Sequence, residues 1–220
     1  MGANCHNPNG VISHQNPEAI RLVANSPSSL RVEVLTENEW SRLKSIRLTA
    51  LQDDPAAFLS NHEDEVAFDE QKWREEFSRG QWNVMVVDHQ EIGLLGVTRE
   101  TTMPKQECYL EYLWVASEFR RVGFGSFLLR TVIDHLRDSG IHTVWLYILD
   151  GNDLALRLYT RFGFQNANGR QLLPYHQAGG EELMKLQLDL VDSFAAGISR
   201  LGGPSRRGGD AAGRRSCGSQ

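Results

Sequence analysis

The residues whose types and spacing most clearly suggest a binding site form a short loop, Arg120-Arg121-Val122-Gly123-Phe124-Gly125, with the pattern Arg-x-x-Gly-x-Gly. A strand-like run, Cys108 to Val115, precedes the loop, and a helix-like run, Ser126 to Arg137, follows it. In such a turn the backbone N–H groups and the positive end of the helix dipole point to one place. Gly123 and Gly125 allow positive φ and a close approach of phosphate oxygens. The loop therefore predicts an anion site suited to a pyrophosphate.

Two other kinds of nucleotide loop do not fit. The chain has no Gly-Lys-Ser/Thr sequence here, which a Walker-type loop requires, and position 128 is Leu where a dinucleotide fingerprint has its third glycine. Glycines also mark ordinary turns, so the interpretation depends on the elements around the loop.

Those elements alternate between strand and helix. Apolar periodicity predicts strands at 31–35, 82–87, 92–99, 107–115, 143–149 and 182–188, and helices at 37–51, 69–79, 126–139 and 153–162. An antiparallel start followed by strand-helix-strand-helix-strand predicts an α/β fold with a mixed sheet. The stretch from 170 to 180 is predicted to be a mobile flap.

A second motif lies downstream, from Asn152 to Phe164. Asn152 is a favourable N-cap, Leu154 and Leu158 recur on one helical face with Phe162, and Gly163 ends the helix. With the Arg-x-x-Gly-x-Gly loop, this order of Asn, Ala, Tyr and Phe-Gly-Phe resembles the GNAT superfamily of acyl-CoA-dependent N-acetyltransferases. The resemblance covers residues 31 to 189 and is strongest from 109 to 164.

The resemblance implies a six- to seven-stranded mixed sheet flanked by about four helices. It also implies transfer of an acetyl group from acetyl-CoA, as co-substrate, to a primary amine of a small molecule or peptide in a ternary complex. Strands four and five would splay apart and bind the pantetheine arm. The implied cofactor-binding residues are Leu113, Trp114, Val115, Arg120, Arg121, Val122, Gly123, Phe124, Gly125, Ser126, Asn152, Leu156 and Tyr159. The side chains of Arg120 and Arg121 either contact phosphate or remain solvated, and Asn152 either contacts the pantetheine arm or only caps its helix.

Two residues are the implied catalytic groups. Tyr159 occupies the family's tyrosine position, and its phenol, with an ordinary pKa near 10, can protonate the departing thiolate. Strict alternation along strand four would place Tyr109, Glu111, Leu113 and Val115 on one face. The family often has a Glu or His on this face, so Glu111 is the predicted base, acting directly or through water. The alternative for Glu111 is a carboxylate that only binds the substrate cation.

The acceptor is less well defined by the sequence. Seven positions from Asp53 to Asp69 are acidic or His, which would attract a cationic amine or form an ordinary solvated face. Two alternatives to acetyl transfer remain: an acyltransferase that uses another donor such as succinyl-CoA, and a non-catalytic acyl-CoA-binding module.

The composition of the chain excludes several other classes of protein function. A net charge of −5 argues against a nucleic-acid binder that works by bulk charge. Three scattered cysteines predict no disulfide framework and a cytoplasmic location, and no His or Cys grouping has metal spacing. No membrane span or secretory signal is recognised. The predicted organisation is a flexible tail at 1–29, one domain at 30–190 and a Gly/Arg-rich tail at 191–220; the resemblance is compatible with a homodimer.

Overall fold

The computed structural model describes residues 29–174, 176 and 179–188; except for residue 29, the predicted tails at 1–29 and 191–220 lie outside these ranges. Its strands are β1 (Leu30–Val34), β2 (Gly80–Val87), β3 (Gln90–Thr98), β4 (Glu107–Val115), β5 (Thr143–Leu149), β6 (Gln165–Leu172) and β7 (Gly180–Gln187). Its α-helices are α1 (Trp40–Asp53), α2 (His62–Val66), α3 (Glu70–Ser78), α4 (Phe124–Asp138) and α5 (Asp153–Arg161). Short 3-10 turns lie at Glu37–Glu39, Pro55–Ala57 and Ser117–Phe119.

The strands form one sheet in the order β1-β2-β3-β4-β5-β7-β6. Strands β4 and β5 are parallel, and the other neighbouring strands are antiparallel. This mixed sheet with flanking helices confirms the predicted fold class.

The parallel pair β4–β5 is joined over only part of its length. Its ladder runs from Glu107 opposite Thr143 to Tyr109 opposite Trp145 and then ends. Both strands continue, β4 to Val115 and β5 to Leu149. The carboxyl ends of β4 and β5 are therefore free of each other, and their backbones border a gap in the middle of the sheet.

Helix α4 closes one face of the sheet beside this gap. It buries Leu128, Leu129, Val132, Ile133 and Leu136, which recur at helical spacing, as its sequence predicts. Strands β2 and β3 are buried almost throughout, because helices cover both faces of the sheet there.

A bulge in β4 contradicts the predicted strict alternation. Tyr112 has a φ of 62°, and the β3–β4 register shifts where Gly96 pairs with Glu111 but Leu94 pairs with Trp114. Directly paired residues share a face, and a bulge adds one residue to one strand. Trp114 therefore lies on the same face as Glu111, whereas Val115, whose side chain lies beside the start of α4, is on the other.

Strand β6 was missed by the sequence analysis. Its sequence is polar and mostly exposed, and it forms a sheet edge that pairs only with β7. Arg170, Gln171 and Leu172 pair with Glu182, Glu181 and Gly180, so the predicted flap is wrong at these positions. Of the connection between the two strands, residues 173, 174, 176 and 179 are described.

A buried ion pair fastens α2 to α1. Arg47 and Glu65 are 5% and 6% exposed, and Arg47 Nη2 lies 2.6 Å from Glu65 Oε1. Arg47 Nε also donates to Glu65 Oε2 at 2.9 Å. Each of these two buried charges is stabilised mainly by the other, because water solvates neither of them.

We expect Glu65→Gln to lower the free energy of unfolding by about 3 kcal/mol, since it leaves a buried guanidinium without its counter-charge. Urea denaturation followed by circular dichroism measures this change. The matched control is Glu63→Gln on the exposed side of the same helix, which should change stability by less than about 0.5 kcal/mol. Equal effects from the two substitutions would show that the Arg47–Glu65 pair does not hold α2 in place.

No helix within the described ranges is both long and apolar enough to span a bilayer.

Candidate active site

A cleft of about 440 Å³ lies where β4 and β5 separate. Its walls are the connection between α1 and α2, the second half of β4, the end of β5, the start of α5 and the start of β7. Of the predicted site residues, Glu111, Leu113, Asn152 and Tyr159 line this one cleft. The structure thus brings both predicted catalytic side chains to the gap in the sheet.

Tyr159 is buried on α5 and lines the cleft. Its ring packs edge-on against Phe164, with the ring centroids 5.4 Å apart. Burial raises the pKa of Tyr159 above its ordinary value, so the phenol is protonated at neutral pH. It can therefore donate a proton to an atom in the cleft.

Asn152 lies at the entrance to α5 and caps it. Its Oδ1 accepts a hydrogen bond from the Ala155 backbone N–H at 3.1 Å, and the residue also lines the cleft. The capping interpretation is therefore supported, and the side-chain amide NH₂ remains available as a donor. The predicted apolar face of α5 is not fully buried, since Leu154 is 62% exposed. Leu156, which was predicted to bind the cofactor, is 40% exposed.

Glu111 contributes a carboxylate to the cleft from the bulged part of β4. Its Oε2 is buried and has no hydrogen-bond partner among the described residues. Burial raises the pKa of this carboxyl, while the nearby Arg79 charge and a hydrogen bond with Thr98 oppose the rise. A carboxyl with a raised pKa and a free oxygen is suited to accept a proton.

Glu181, a second carboxyl in the cleft, was missed by the sequence analysis. It is 6% exposed and lies opposite Leu149 at the start of β7. Burial raises the pKa of Glu181, and the charge of Glu111 adds to the rise. The last strand was predicted to start at 182, one residue too late to include it. Alternation extended back along the strand would put Glu181 on the face of the exposed Lys185 and Gln187, so the local sequence gives no signal for its burial.

The acceptor side of the cleft is bordered by two connections that meet. His176, between β6 and β7, is 3.1 Å from the Phe58 carbonyl oxygen through its Nε2, and Phe58 lies between α1 and α2. The predicted flap region and the acidic stretch from Asp53 to Asp69 therefore meet at this side of the cleft.

The acidic stretch from Asp53 to Asp69 is largely engaged within the protein. Glu65 pairs with Arg47, and Asp69 caps α3 by accepting from the Lys72 N–H at 2.8 Å. Asp53 and Asp54 bind Arg120 at 2.7 and 2.9 Å. These contacts favour a structural role over the predicted attraction of a cationic amine.

The Gly loop has the predicted positive φ at Gly123 but not at Gly125, which lies in the helix, whereas Arg121 has a positive φ that was not predicted. Arg121 and Gly123 have φ of 66° and 99°, and Gly123 is the N-cap of α4. The helix begins at Phe124, two residues earlier than predicted, so Phe124, Gly125 and Ser126 form its first turn. The N–H groups of a first turn have no partner within the helix. They are available to an anion at the mouth of the gap.

The contacts of the Arg120 side chain indicate a structural role rather than the predicted contact with phosphate. Its guanidinium binds Asp53 and Asp54, and its Nε donates to the Val115 carbonyl at 2.6 Å. Trp114 Nε1 also donates to Asp53, at 2.9 Å. Arg120 and Trp114 thus anchor the end of α1 to β4 and the loop, and Arg121, which is exposed, is the better placed arginine for a phosphate.

The sequence of this region matches a known family. Residues 46–164, more than half of the chain, match the family model described as the acetyltransferase (GNAT) family. The chain belongs to the GNAT acetyltransferase family. The matched residues span β2 to β5, the Gly loop and α5, so the predicted resemblance is confirmed on the elements that build the cleft.

Individual relatives match this GNAT chain over shorter stretches. It is 35% identical over 82 residues to the ribosomal protein bS18-alanine N-acetyltransferase of Salmonella typhimurium, covering 37% of this chain and 55% of the relative. The chain spans about half the length of the curated relatives it matches.

Solved GNAT structures share the fold at low sequence identity. An acetyltransferase of the GNAT family from Streptococcus pneumoniae superposes with a TM-score of 0.61 at 16% identity, covering 73% of this chain and 100% of that chain. Arabidopsis thaliana Naa50, solved in complex with the bisubstrate analogue CoA-Ac-MVNAL, superposes with a TM-score of 0.55 at 16% identity, covering 73% and 99%.

Proposed function

We propose that this GNAT protein is an N-acetyltransferase that moves an acetyl group from acetyl-CoA to a primary amine of a peptide or small molecule within a ternary complex. The observation that carries the proposal is the pairing of two buried groups in one cleft. They are a Glu111 carboxylate oxygen that has no hydrogen-bond partner in the part of the chain that the structure describes, and the protonated phenol of Tyr159. The two groups are suited to opposite proton transfers, as an acid and a base must be.

The donor would lie along the gap between β4 and β5. Leu113, Trp114 and Val115 offer backbone groups where β5 no longer pairs with β4. The first turn of α4 and the backbone from Arg120 to Gly123 would hold the pyrophosphate, with Arg121 as the charged neighbour. Asn152 would donate its amide NH₂ to the pantetheine arm. Leu156, exposed on α5, would contact the outer part of the cofactor.

Transfer in this cleft would proceed by direct attack of the amine. Glu111, directly or through water, removes a proton from the ammonium, and the amine nitrogen then attacks the thioester carbonyl. Collapse of the tetrahedral intermediate breaks the C–S bond, and Tyr159 protonates the departing thiolate. The nitrogen loses its second proton as the amide forms, and this proton restores the Tyr159 phenol, so the products are the amide, CoA and one proton on Glu111. Cys108 is buried in β4, and burial raises the pKa of its thiol to about 11, which disfavours a covalent cysteine intermediate.

Glu111→Gln should remove the acidic limb from the pH dependence of kcat/KM, because the amide cannot take up the proton. In the parent protein, activity should fall as pH drops through the raised pKa of Glu111, where the carboxylate becomes protonated. The matched control is Glu181→Gln. Two neighbouring carboxyls raise each other's pKa, so this control should keep the acidic limb and move it to lower pH. An acidic limb that persists in Glu111→Gln would exclude Glu111 as the base.

The donor is tested by calorimetric titration with acetyl-CoA, CoA and succinyl-CoA. We expect one site per chain and a preference for acetyl-CoA over succinyl-CoA. A preference for succinyl-CoA would favour the acyltransferase alternative, and the absence of binding by all three would overturn the proposal. A cytoplasmic location and a homodimer stay predictions from the sequence.

A further inference from the structure

A second, smaller cavity of about 170 Å³ lies beside the cleft, on the acceptor side. We call it the Arg47–Trp73 cavity; it is lined from α1, α3 and the start of β2. Ser60 and Tyr112 line both it and the cleft, so the two spaces share a wall. Arg47 and Arg79, which line the cavity, also act on the charge of Glu111. Because Tyr112 follows Glu111 directly in β4, the cavity borders the part of the cleft where Glu111 lies, which the proposed function assigns to the amine.

Two buried N–H donors in this wall have no acceptor. Arg47 Nη1 and Trp73 Nε1 lack a hydrogen-bond partner among the described residues, and the two residues are 5% and 1% exposed. The rest of the Arg47 guanidinium is engaged, by Glu65 and by Ser60 Oγ at 2.7 Å. Buried donors are nearly always paired, so their lack of a partner in the wall of a cavity marks a place for an oxygen acceptor.

The positive and negative charges around the cavity balance. This balance decides whether the two donors would bind a carboxylate oxygen or a neutral carbonyl oxygen. Arg47 pairs with Glu65 at 2.6 Å, and Arg79 pairs with Glu76 at 2.9 Å. Lys72 also binds Glu76 at 2.9 Å. The Glu111 carboxylate adds negative charge nearby. A carboxylate would meet no net positive charge to offset its desolvation, whereas a neutral carbonyl needs only the two donors.

We propose that the Arg47–Trp73 cavity binds an uncharged carbonyl group adjacent to the reacting amine, so that the acceptor is a peptide or amide with a free amino group rather than a free amino acid. The inference rests on the proposed acetyltransferase function. Arg47 Nη1 and Trp73 Nε1 donate to the carbonyl oxygen while Glu111 faces the amine. The site then selects its substrate by a hydrogen bond that a free alkylamine cannot make.

The test compares alaninamide, alanine and isopropylamine as acceptors, with kcat/KM expressed per unprotonated amine. The protein should prefer alaninamide to both of the others by about 10- to 100-fold, the usual effect of satisfying a buried donor. In Trp73→Phe this preference should shrink about tenfold, while kcat/KM for isopropylamine and the affinity for acetyl-CoA stay unchanged. A general folding defect would lower all three acceptors together.

Trp82→Phe is the matched control. Trp82 lines the same cavity, but its Nε1 already donates to the Phe77 carbonyl at 2.9 Å, so its loss should leave the alaninamide preference intact. Three results would overturn the inference: alanine preferred over alaninamide, equal use of the three acceptors, or an unchanged preference in Trp73→Phe.

A failure of the proposed acetyl transfer can be distinguished from a failure of the carbonyl site. If no amine is acetylated, calorimetric binding of alaninamide in the presence of CoA is compared between the parent protein and Trp73→Phe. Binding that Trp73→Phe removes would retain the carbonyl site and overturn only the acetyl transfer. Absence of binding would overturn both.

Discussion

Tyr159→Phe should lower kcat for acetyl transfer by about 10²- to 10⁴-fold, the usual contribution of a positioned acid, while the affinity for acetyl-CoA stays within about twofold. The phenylalanine ring keeps the edge-on contact with Phe164, so the cleft keeps its shape. Only the proton that the phenol would give to the departing thiolate is lost. Steady-state kinetics and calorimetric titration with acetyl-CoA, performed on the same preparation, separate the two quantities.

The control for this prediction is a change in the leaving group. A donor whose thiol is more acidic than CoA needs less help from an acid, so Tyr159→Phe should lose less activity with it. An equal loss with both donors, or full activity with acetyl-CoA, would show that another group protonates the thiolate.

Gly125→Glu should abolish measurable acetyl-CoA binding. The side chain would enter the first turn of α4, where the predicted pyrophosphate lies, and would bring a negative charge to it. A Cβ at position 125 would meet the side chains of Leu158 at 3.7 Å and Val115 at 3.8 Å, which is ordinary van der Waals contact. A glutamate in a first helical turn also interacts favourably with the helix dipole. Thermal unfolding of the variant should therefore stay cooperative, which distinguishes lost binding from lost folding.

Gly125→Ala separates size from charge. It adds a Cβ without a charge, so it should weaken acetyl-CoA binding much less than Gly125→Glu. Calorimetric titration and thermal unfolding of both variants provide the comparison. Unchanged affinity in Gly125→Glu would show that the loop is an ordinary turn and would remove the assignment of the anion site.

Local patterns predicted the parts of the site that depend on neighbours in sequence. The turn at Gly123, the capping by Asn152 and the apolar stripe of α4 all follow from residues within one or two helical turns. The family motif added Tyr159 and Glu111, which the structure brings to one cleft.

Features that depend on pairing between distant segments were not predictable in this way. The bulge at Tyr112 accompanies a shift in the register between β3 and β4. The sequence of β4 alone predicts simple alternation, so this shift could not be predicted from it. Strand β6 is polar, so its position depends on β7 rather than on a buried face of its own. Arg47 and Glu65 are 18 residues apart, and only the packing of α1 against α2 brings their charges together, so neither residue stands out in the sequence.

The most direct test of acetyl transfer is a stoichiometric reaction of the purified protein with acetyl-CoA and a short peptide whose only amine is its N-terminus. CoA release is followed with a thiol reagent, and the peptide is analysed by mass spectrometry. We predict equal amounts of CoA and of peptide acetylated at its α-amine, with both lost in Tyr159→Phe. Acetyl-CoA binding without acetylation of this peptide or of any amine in a wider panel would contradict the account and leave a module that only binds the cofactor.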